Sequence, residues 1–412
     1  MNNNMAKTEK LLSRLEALRQ ETGVARTIFA VCPNSLSVIR ASFRAAKRNN
    51  APIYFAATLN QIDGDGGYTG MTQSMFRKML QFEADRVNYT GCSIVAIDHG
   101  GPWLKDKQRV EKWSTEDAMN GVKKSFEDAA LAGYDLIHVD PTVDINVAKG
   151  DVIDIHVVVR RTVELIKHVE DFRAANNLPE ISYEVGTEEV HGGLADETTF
   201  DTFLTELKSG LAEVGLANVW PCFIVGKVGT DLDTAIFDPE VARNLTSKVR
   251  PHGSWIKGHY TDGVSNPEEY PLSGMGAANV GPEFTISEYE ALKELDALER
   301  RFEAEGKVAV LSNMAATLER LVYESGRWIK WLHEDEAGKD FPELTAERRE
   351  WLVGTGCRYI WQHPEAVAAR TQLYGNLQRL GVDAEEVVLG RIERDMDKYF
   401  VAFNLVGVND LL

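Results

Sequence analysis

An aspartate and a histidine stand together at the end of a short apolar segment, where both could take part in catalysis. Residues 93–97 are mostly apolar and rich in β-branched side chains, which predicts a strand buried on both faces. Asp98 and His99 follow, and then two glycines and a proline open a loop. In a barrel of parallel strands, this end of the strand carries the chemistry. The same pattern would also suit a structural hydrogen-bonded pair, so the two interpretations stay open at this point.

Several other predicted strands end in residues of the same kind. His138 and Asp140 point to the same side of the fourth strand because side chains alternate along a strand. We interpret Asp140, at the rim, as the functional candidate and His138 as a core histidine. Glu188 enters the loop after the fifth strand, and His259 ends the seventh. Glu184, inside an apolar segment, must be paired if it is buried.

Three of these residues form a chemically coherent set of metal ligands. His99, Glu188 and His259 come from three strand ends, and two imidazoles with one carboxylate suit Zn²⁺ with open positions for a substrate. Three further carboxylates would lie near the cation and could transfer protons: Asp98, Asp140 and Asp262. The alternative is that the three predicted ligands only make hydrogen bonds at the rim.

The elements that must position these residues alternate regularly. Eight predicted strands, separated by helical patterns, occupy about 280 residues: 27–32, 52–58, 94–98, 135–140, 181–186, 220–225, 254–259 and a segment within 278–284. This rhythm predicts a TIM (β/α)₈ barrel with an N-terminal helix over residues 1–305. A doubly wound open sheet would show the same alternation. From residue 306 to 412 the pattern is helical without strands, which predicts a C-terminal helical extension packed on the barrel.

Two glycine-rich stretches are candidate substrate loops. Residues 60–72 contain four glycines after the second strand, where backbone N–H groups could approach an anion or a sugar, although a flexible loop would have the same composition. The candidate contacts in this loop are Asn60, Gln61, Gly67 and Thr69. Gly274 and Gly276 lie between the seventh and eighth strands, where barrels commonly hold a phosphate.

Composition narrows the range of partners and compartments. The chain has 412 residues and a net charge of −18, which argues against nucleic acid or an anionic membrane surface as a partner. A small anionic substrate stays compatible, because a local site can be positive on an acidic protein. We expect no membrane span and no signal peptide. Four scattered cysteines predict free thiols in a reducing cytoplasm.

Seven motifs along the chain resemble, in order, the non-catalytic-subunit family of class II tagatose-bisphosphate aldolases. They are NQIDGDGGYTGMT (60–72), AIDHGGPW (96–103), IHVD (137–140), YEVGTEEVHGG (183–193), GHYTD (258–262), NVGPEFT (279–285) and YIWQHPE (359–365). The resemblance spans nearly the whole chain. It implies a TIM barrel related to class II ketose-bisphosphate aldolases, in which the pair matching Asp98-His99 supplies a proton-transfer acid and a zinc ligand.

The resemblance implies two kinds of function. Some members stabilise a separate catalytic aldolase subunit, and others interconvert tagatose 6-phosphate and fructose 6-phosphate by epimerisation at C4. Two departures bear on substrate recognition: Asn279 stands where a lysine often precedes Val-Gly-Pro, and residues 263–278 lengthen the loop between the last two strands. Asn279 is therefore also a candidate substrate contact.

The predicted function is a divalent-metal-dependent ketose or ketose-phosphate 4-epimerase that works by retro-aldol chemistry. The same residues would also serve an aldolase, and the alternative of another class is a stabilising subunit of a catalytic aldolase. We expect Zn²⁺ as the metal. The chain is expected to form a homo-oligomer or to bind a catalytic aldolase subunit.

Overall fold

Eight parallel strands close into a barrel in the computed structural model, which describes residues 5–148, 151–186, 197–231 and 236–412. The strands are β1 Ile28–Val31, β2 Ile53–Thr58, β3 Ser93–Gly100, β4 Leu136–Val139, β5 Ser182–Gly186, β6 Phe223–Val225, β7 Trp255–Gly258 and β8 Ala277–Val280. Each pairs with the next, and β8 pairs with β1 in register from Ile28 opposite Ala277 to Val31 opposite Val280. The predicted TIM barrel is confirmed, and the open sheet is excluded.

In the described part of the barrel, ten helices precede or connect the strands, or follow β8. They are α1 Lys7–Thr22, α2 Leu36–Arg48, α3 Gln73–Arg86, α4 Asp106–Val110, α5 Thr115–Leu131, α6 Ile155–Ala175, α7 Glu197–Glu213, α8 Pro239–Val249, α9 Glu269–Leu272 and α10 Pro282–Ala304. Several begin at capping residues that the sequence supplies: Ser35 accepts a hydrogen bond from the Val38 N–H, and Ser114 accepts one from the Asp117 N–H.

The apolar core has two parts because strand side chains alternate in direction. Phe29, Val31 and Phe55 belong to the part that also contains the buried residues of the outer helices. Ile28 and Tyr54 belong to the barrel interior, together with the four buried leucines of α1. We infer that α1 covers the amino-terminal end of the barrel and leaves its carboxyl end for the site.

Four more helices follow the barrel: α11 Met314–Ser325, α12 Ala346–Gly356, α13 Pro364–Gln378 and α14 Ala384–Ala402. Helix α11 ends at Ser325, because Gly326 adopts a positive φ of 63° and a 3₁₀ turn, Arg327–Trp331, follows. A second 3₁₀ turn, Cys357–Tyr359, follows α12. The division at residues 305 and 306 stays a prediction. No described helix is long and apolar enough to cross a membrane.

The last helix is joined to the barrel by an aromatic cluster. Phe29 of β1 stacks on Tyr399 at 5.3 Å between ring centroids and meets Phe400 edge-on at 5.1 Å. All three side chains are buried. Aromatic pairs in these geometries add to the free energy that burial provides, so we infer that α14 is an integral part of the folded barrel.

We predict that Phe400→Ala lowers the free energy of unfolding by about 3–5 kcal/mol, because it removes a fully buried ring and leaves a cavity. The neighbouring Val401 is 62% exposed, so Val401→Ala should change the free energy by about 0.5 kcal/mol or less. Chemical denaturation of both variants measures the difference. Equal effects would mean that α14 packs on the barrel only loosely.

Candidate active site

A layer of polar side chains fills the carboxyl end of the barrel interior, above the apolar layer. Asp98 lies two residues beyond the interior residue Ala96, so both point into the barrel. By the same alternation His138 follows Leu136 on β4, and Asn279 follows Ala277 on β8. Glu184 of β5 and Lys257 of β7 complete the layer, and both are 0% exposed.

The polar layer is held together by one buried ion pair. Lys257 Nζ donates to both Glu184 oxygens, at 2.7 and 3.0 Å, and lies 3.5 Å from Asp98 Oδ1. His259 Nε2 is 3.2 Å from Glu184 Oε1. Asn279 Nδ2 donates to Asp98 Oδ2 at 3.0 Å. Glu184 is therefore paired, as its burial requires.

His99 leaves the regular strand and turns its ring toward the same centre. Its φ is +46°, and the pairing of β3 with β4 shifts register between Ile97 and Gly100. His99 Nδ1 lies 2.6 Å from Asp140 Oδ2, and its ring centroid is 4.5 Å from that of His259. A carboxylate on one ring nitrogen fixes the orientation of the ring and leaves the other nitrogen for a ligand.

Glycine is required directly after this histidine. A Cβ atom at Gly101 would lie 1.7 Å from the Asp140 carbonyl oxygen, and one at Gly100 would lie 2.4 Å from the Phe126 ring. No side chain fits at either position without moving β4 or α5. The glycines thus allow the close approach of β3 and β4 that brings His99 to Asp140.

The ionisable groups of the layer are strongly coupled. Burial raises the pKa of Asp98, but Lys257 and His99 outweigh it and hold that pKa well below its usual value. Burial is likewise outweighed at Glu184 by Lys257, which sets its pKa at about 2. Burial lowers the pKa of His99, but Asp98 and Asp140 raise it to about 9. The centre therefore contains ionised carboxylates at neutral pH.

These residues fit a divalent cation. One ligand atom from each of Asp98, His138, Glu184 and His259 lies within 4.8 Å of the others, and the same holds for His99, His138 and Asp140. His138 Nδ1 accepts a hydrogen bond from the His99 N–H, while its buried Nε2 has no hydrogen-bond partner among the described residues. The same Nδ1 atom lies 3.5 Å from Asp98 Oδ1 and from Glu184 Oε1, so it is the nitrogen of this ring that faces the carboxylates.

The predicted metal ligands are brought together only in part by the described residues. His99 and His259 are neighbours, whereas Glu188 lies in 187–196, outside the described residues. Sequence reasoning placed His138 in the core and did not assign Glu184 or Lys257 to the site. The alternation that pairs Asp140 with His138 could have indicated that His138 also faces the barrel axis.

A cavity of about 270 Å³ lies above this layer. Asp98, His99, His259 and Asn279 contribute to its lining from the barrel. The loop after β2 and the C-terminal extension also contribute to the lining, including Asn60, Gln61, Tyr68, Arg327, Lys330, Trp331, Arg358 and Tyr359. The extension therefore forms part of the cavity wall, a feature that the sequence analysis did not predict.

The predicted loop residues have different roles around this cavity. Asn60 lines it and bonds the loop after β3, donating to the Leu104 carbonyl oxygen and accepting from the Asp106 N–H, both at 2.9 Å. Thr69 donates to the Gln61 carbonyl oxygen at 2.7 Å. Gly67 has a φ of +52°, and a Cβ there would lie 2.4 Å from the same oxygen. Thr69 and Gly67 thus shape the loop and do not line the cavity.

Two of the predicted substrate contacts lie elsewhere. Gly274 and Gly276 precede β8, so they lie at its amino-terminal end, and they line a second cavity with residues of α1. A Cβ at Gly276 would lie 2.5 Å from that of Trp255, which explains the glycine by packing. The prediction of a phosphate site at these glycines is wrong. Strand β8 begins after them, so they lie at the opposite end of the barrel from the polar layer.

The other two predicted catalytic aspartates are engaged by neighbouring groups. Asp140 bonds His99 and accepts a hydrogen bond from Thr142, so it orients the imidazole. Asp262 Oδ1 accepts hydrogen bonds from the Gly281 and Glu283 N–H groups, at 2.9 and 2.8 Å, where α10 begins. Burial and the charge of Glu283 raise the pKa of Asp262 to about 6. Asp262 also lines the cavity.

Comparison with known proteins agrees with this geometry. Residues 13–392 match the D-tagatose-1,6-bisphosphate aldolase subunit GatZ/KbaZ-like family. The chain belongs to this family. A D-tagatose 6-phosphate 4-epimerase from Agrobacterium fabrum is 26% identical over 390 residues, which cover 88% of this chain and 87% of the relative.

Solved structures share the fold of this GatZ/KbaZ-like chain. The crystal structure of a probable tagatose 6 phosphate kinase from Sinorhizobium meliloti 1021 matches with a TM-score of 0.76 and 23% identity, covering 92% of this chain and all of the other. The fructose-bisphosphate aldolase of Campylobacter jejuni matches with a TM-score of 0.55 and 11% identity, covering 98% and 96%. At these identities the likeness concerns the fold alone.

We predict that the chain binds one Zn²⁺ ion at the polar layer, and that His99→Ala or His259→Ala weakens binding by more than the 10- to 100-fold typical of an outer ligand. His156 is exposed on α6 and pairs with Glu206, so His156→Ala is the matched control and should bind Zn²⁺ normally. Competition titration against a chelating dye measures all three affinities. Normal affinity in both site variants would contradict the assignment.

Proposed function

We propose that this protein is a divalent-metal-dependent 4-epimerase of a ketose phosphate, of the tagatose and fructose type. The observation that carries the proposal is the buried set of carboxylates and imidazoles that opens into a sugar-sized cavity. The family membership and the relative named D-tagatose 6-phosphate 4-epimerase support it. Pockets for small ligands are typically about 300–1,000 Å³, and this cavity, at about 270 Å³, is slightly smaller than that range.

The reaction we propose breaks and re-forms the C3–C4 bond of the ketose. A carboxylate accepts the proton of the C4 hydroxyl, the C3–C4 electron pair moves onto the C2–C3 unit as an enediolate, and C4 becomes an aldehyde. The aldehyde then turns its other face, the bond re-forms, and the carboxylate returns the proton. Atoms and electrons balance within the substrate, and the configuration at C4 is inverted.

Asp98 is the carboxylate that we assign to this proton transfer. It lines the cavity, adjoins His259 and is held in place by Asn279 at 3.0 Å and Lys257 at 3.5 Å. Asp262 is the second candidate, because a pKa of about 6 is close to the pH at which an enzyme usually operates. Asp140 is better placed to orient His99.

The metal would be held by the imidazoles of His99, His138 and His259 together with the Glu184 carboxylate, which leaves Asp98 beside it for proton transfer. When bound, such an ion supplies Lewis-acid polarisation of the ketose carbonyl. The chain's own contribution is a preorganised floor, since Lys257 is buried and is hydrogen bonded to both Glu184 and Asp98. Zn²⁺ suits imidazole and carboxylate ligands, although other divalent ions accept the same donors.

A second candidate function is suggested by the family description, which is that of an aldolase subunit. In that case the chain would stabilise a catalytic partner, and its own layer of charged residues would be structural. An aldolase activity of the chain itself would use the same bond cleavage but release the aldehyde. These possibilities differ in their products, so one experiment separates them.

The experiment is incubation of the purified chain with Zn²⁺, and then with a chelator, on fructose 6-phosphate, fructose and fructose 1,6-bisphosphate, with products identified by NMR. We expect the C4 epimer of fructose 6-phosphate, formed only with metal. Asp98→Asn should lower the rate by about 10²–10⁴-fold, the range for loss of a general base. Asp65→Asn, on a loop residue that does not line the cavity, should retain the rate.

Triose products would identify an aldolase. The absence of turnover on all three sugars, together with no bound metal, would contradict the catalytic proposal and favour the stabilising subunit. If Asp262→Asn, and not Asp98→Asn, abolished turnover, the proton transfer would belong to Asp262.

A further inference from the structure

The two 3₁₀ turns of the C-terminal extension place an unusual concentration of positive charge over the barrel mouth. Arg327 and Lys330 come from the turn Arg327–Trp331, and Arg358 comes from the turn Cys357–Tyr359. All three line the same cavity as Asp98 and His99, and so does Arg109 of α4. The chain as a whole has a net charge of −18, so this local excess of positive charge is opposite in sign to the net charge of the protein.

Most of these cations form ion pairs with the same carboxylate. Asp106, at the start of α4, accepts hydrogen bonds from Arg109 at 2.7 Å and from Arg327, and its Oδ2 lies 3.9 Å from Lys330 Nζ. Three of the four cationic side chains therefore share a single neighbouring carboxylate at the upper wall. Asp262, which also lines the cavity, attracts Arg358 through its charge, so two carboxylates face four cations and the wall keeps an excess of positive charge.

Arg358 is the most informative of the four. It is only 5% exposed, and its hydrogen bonds go to neutral groups, Thr355 Oγ1 at 2.6 Å and the Tyr359 hydroxyl at 3.1 Å. No ion pair to a carboxylate within 4.0 Å is found for it in the described part of the chain. A buried guanidinium whose interacting carboxylate, Asp262, lies beyond ion-pair contact is costly unless a ligand completes it.

Aromatic rings hold these cations in place. The Arg358 guanidinium lies 5.0 Å from the Trp331 ring centroid and 4.8 Å from that of Tyr359, and Arg327 lies 4.1 Å from the Tyr359 ring. The indole N–H of Trp331 is buried and has no hydrogen-bond partner among the described residues. The wall thus offers fixed N–H donors together with positive charge, which is the chemistry that recognises phosphate.

We propose that Arg358, Lys330 and Arg327 bind the phosphomonoester of the substrate, so that the C-terminal extension determines specificity for a phosphorylated sugar. This inference rests on the proposed function for the identity of the sugar, but the anion site itself does not depend on turnover. A dianion matches an excess of more than one positive charge better than a carboxylate does. The phosphate end would face the extension while C2 to C4 face the polar layer.

The first test is calorimetric titration of inorganic phosphate into the full chain without added metal. Wild type should bind phosphate, and Lys330→Gln and Arg358→Gln should weaken binding by about tenfold, the effect of losing one charge-assisted hydrogen bond. Lys339→Gln removes the same charge from an exposed position of the same extension that does not line the cavity, and it should bind normally. Lys330 is half-exposed, so its variant is expected to fold even if Arg358→Gln does not.

The inference is overturned if wild type binds no phosphate, or if Lys330→Gln and Lys339→Gln bind it equally well. Tighter binding of a hexuronate than of fructose 6-phosphate would overturn the assignment to a phosphate ester. With an active enzyme, Lys330→Gln should raise KM for fructose 6-phosphate about tenfold, whereas Lys339→Gln should leave it unchanged. If no sugar is turned over, the phosphate titration still decides the question.

Discussion

The buried ion pair between Lys257 and Glu184 is the interaction on which the carboxyl end of this barrel depends. Both side chains are 0% exposed, and transferring either charge from water without the other would cost several kcal/mol. Lys257 also lies 3.5 Å from Asp98. With one ammonium group beside two carboxylates, the layer keeps a negative excess that favours a cation, while remaining compatible with folding before the cation binds.

The cavity has two charged surfaces with different roles: the negatively charged polar layer of the barrel and the positively charged residues of the C-terminal extension. The barrel supplies Asp98 and the histidines from the ends of β3, β4 and β7, where backbone hydrogen bonding on both sides fixes their positions. The extension supplies Arg327, Lys330 and Arg358 from short 3₁₀ turns that follow α11 and α12. A substrate with a reactive ketose end and an anionic end would be oriented by both, which explains why the helices after the barrel belong to the functional unit.

The sequence predicted the parts of the structure that depend on local patterns. Alternation of apolar segments with helices gave eight strands close to their observed bounds, and the strand-end residues Asp98, His99 and His259 do converge. The sequence did not predict the positions of residues that are set by contacts between distant parts of the chain. Gly276 was assigned to the wrong end of the barrel because the exact start of β8 was not evident, and Arg358, far along the chain, reaches the cavity only through the fold of the extension.

Retention of hydrogen at C4 is the most direct test of the retro-aldol reaction, because cleavage of the C3–C4 bond never breaks the C4–H bond. The measurement is turnover of fructose 6-phosphate in D₂O with Zn²⁺ present, with deuterium located in the product by NMR. The metal-dependent retro-aldol reaction predicts a C4 epimer that keeps its protium at C4 and forms only with the metal. Deuterium at C4, or an epimer formed in the presence of a chelator, would contradict it.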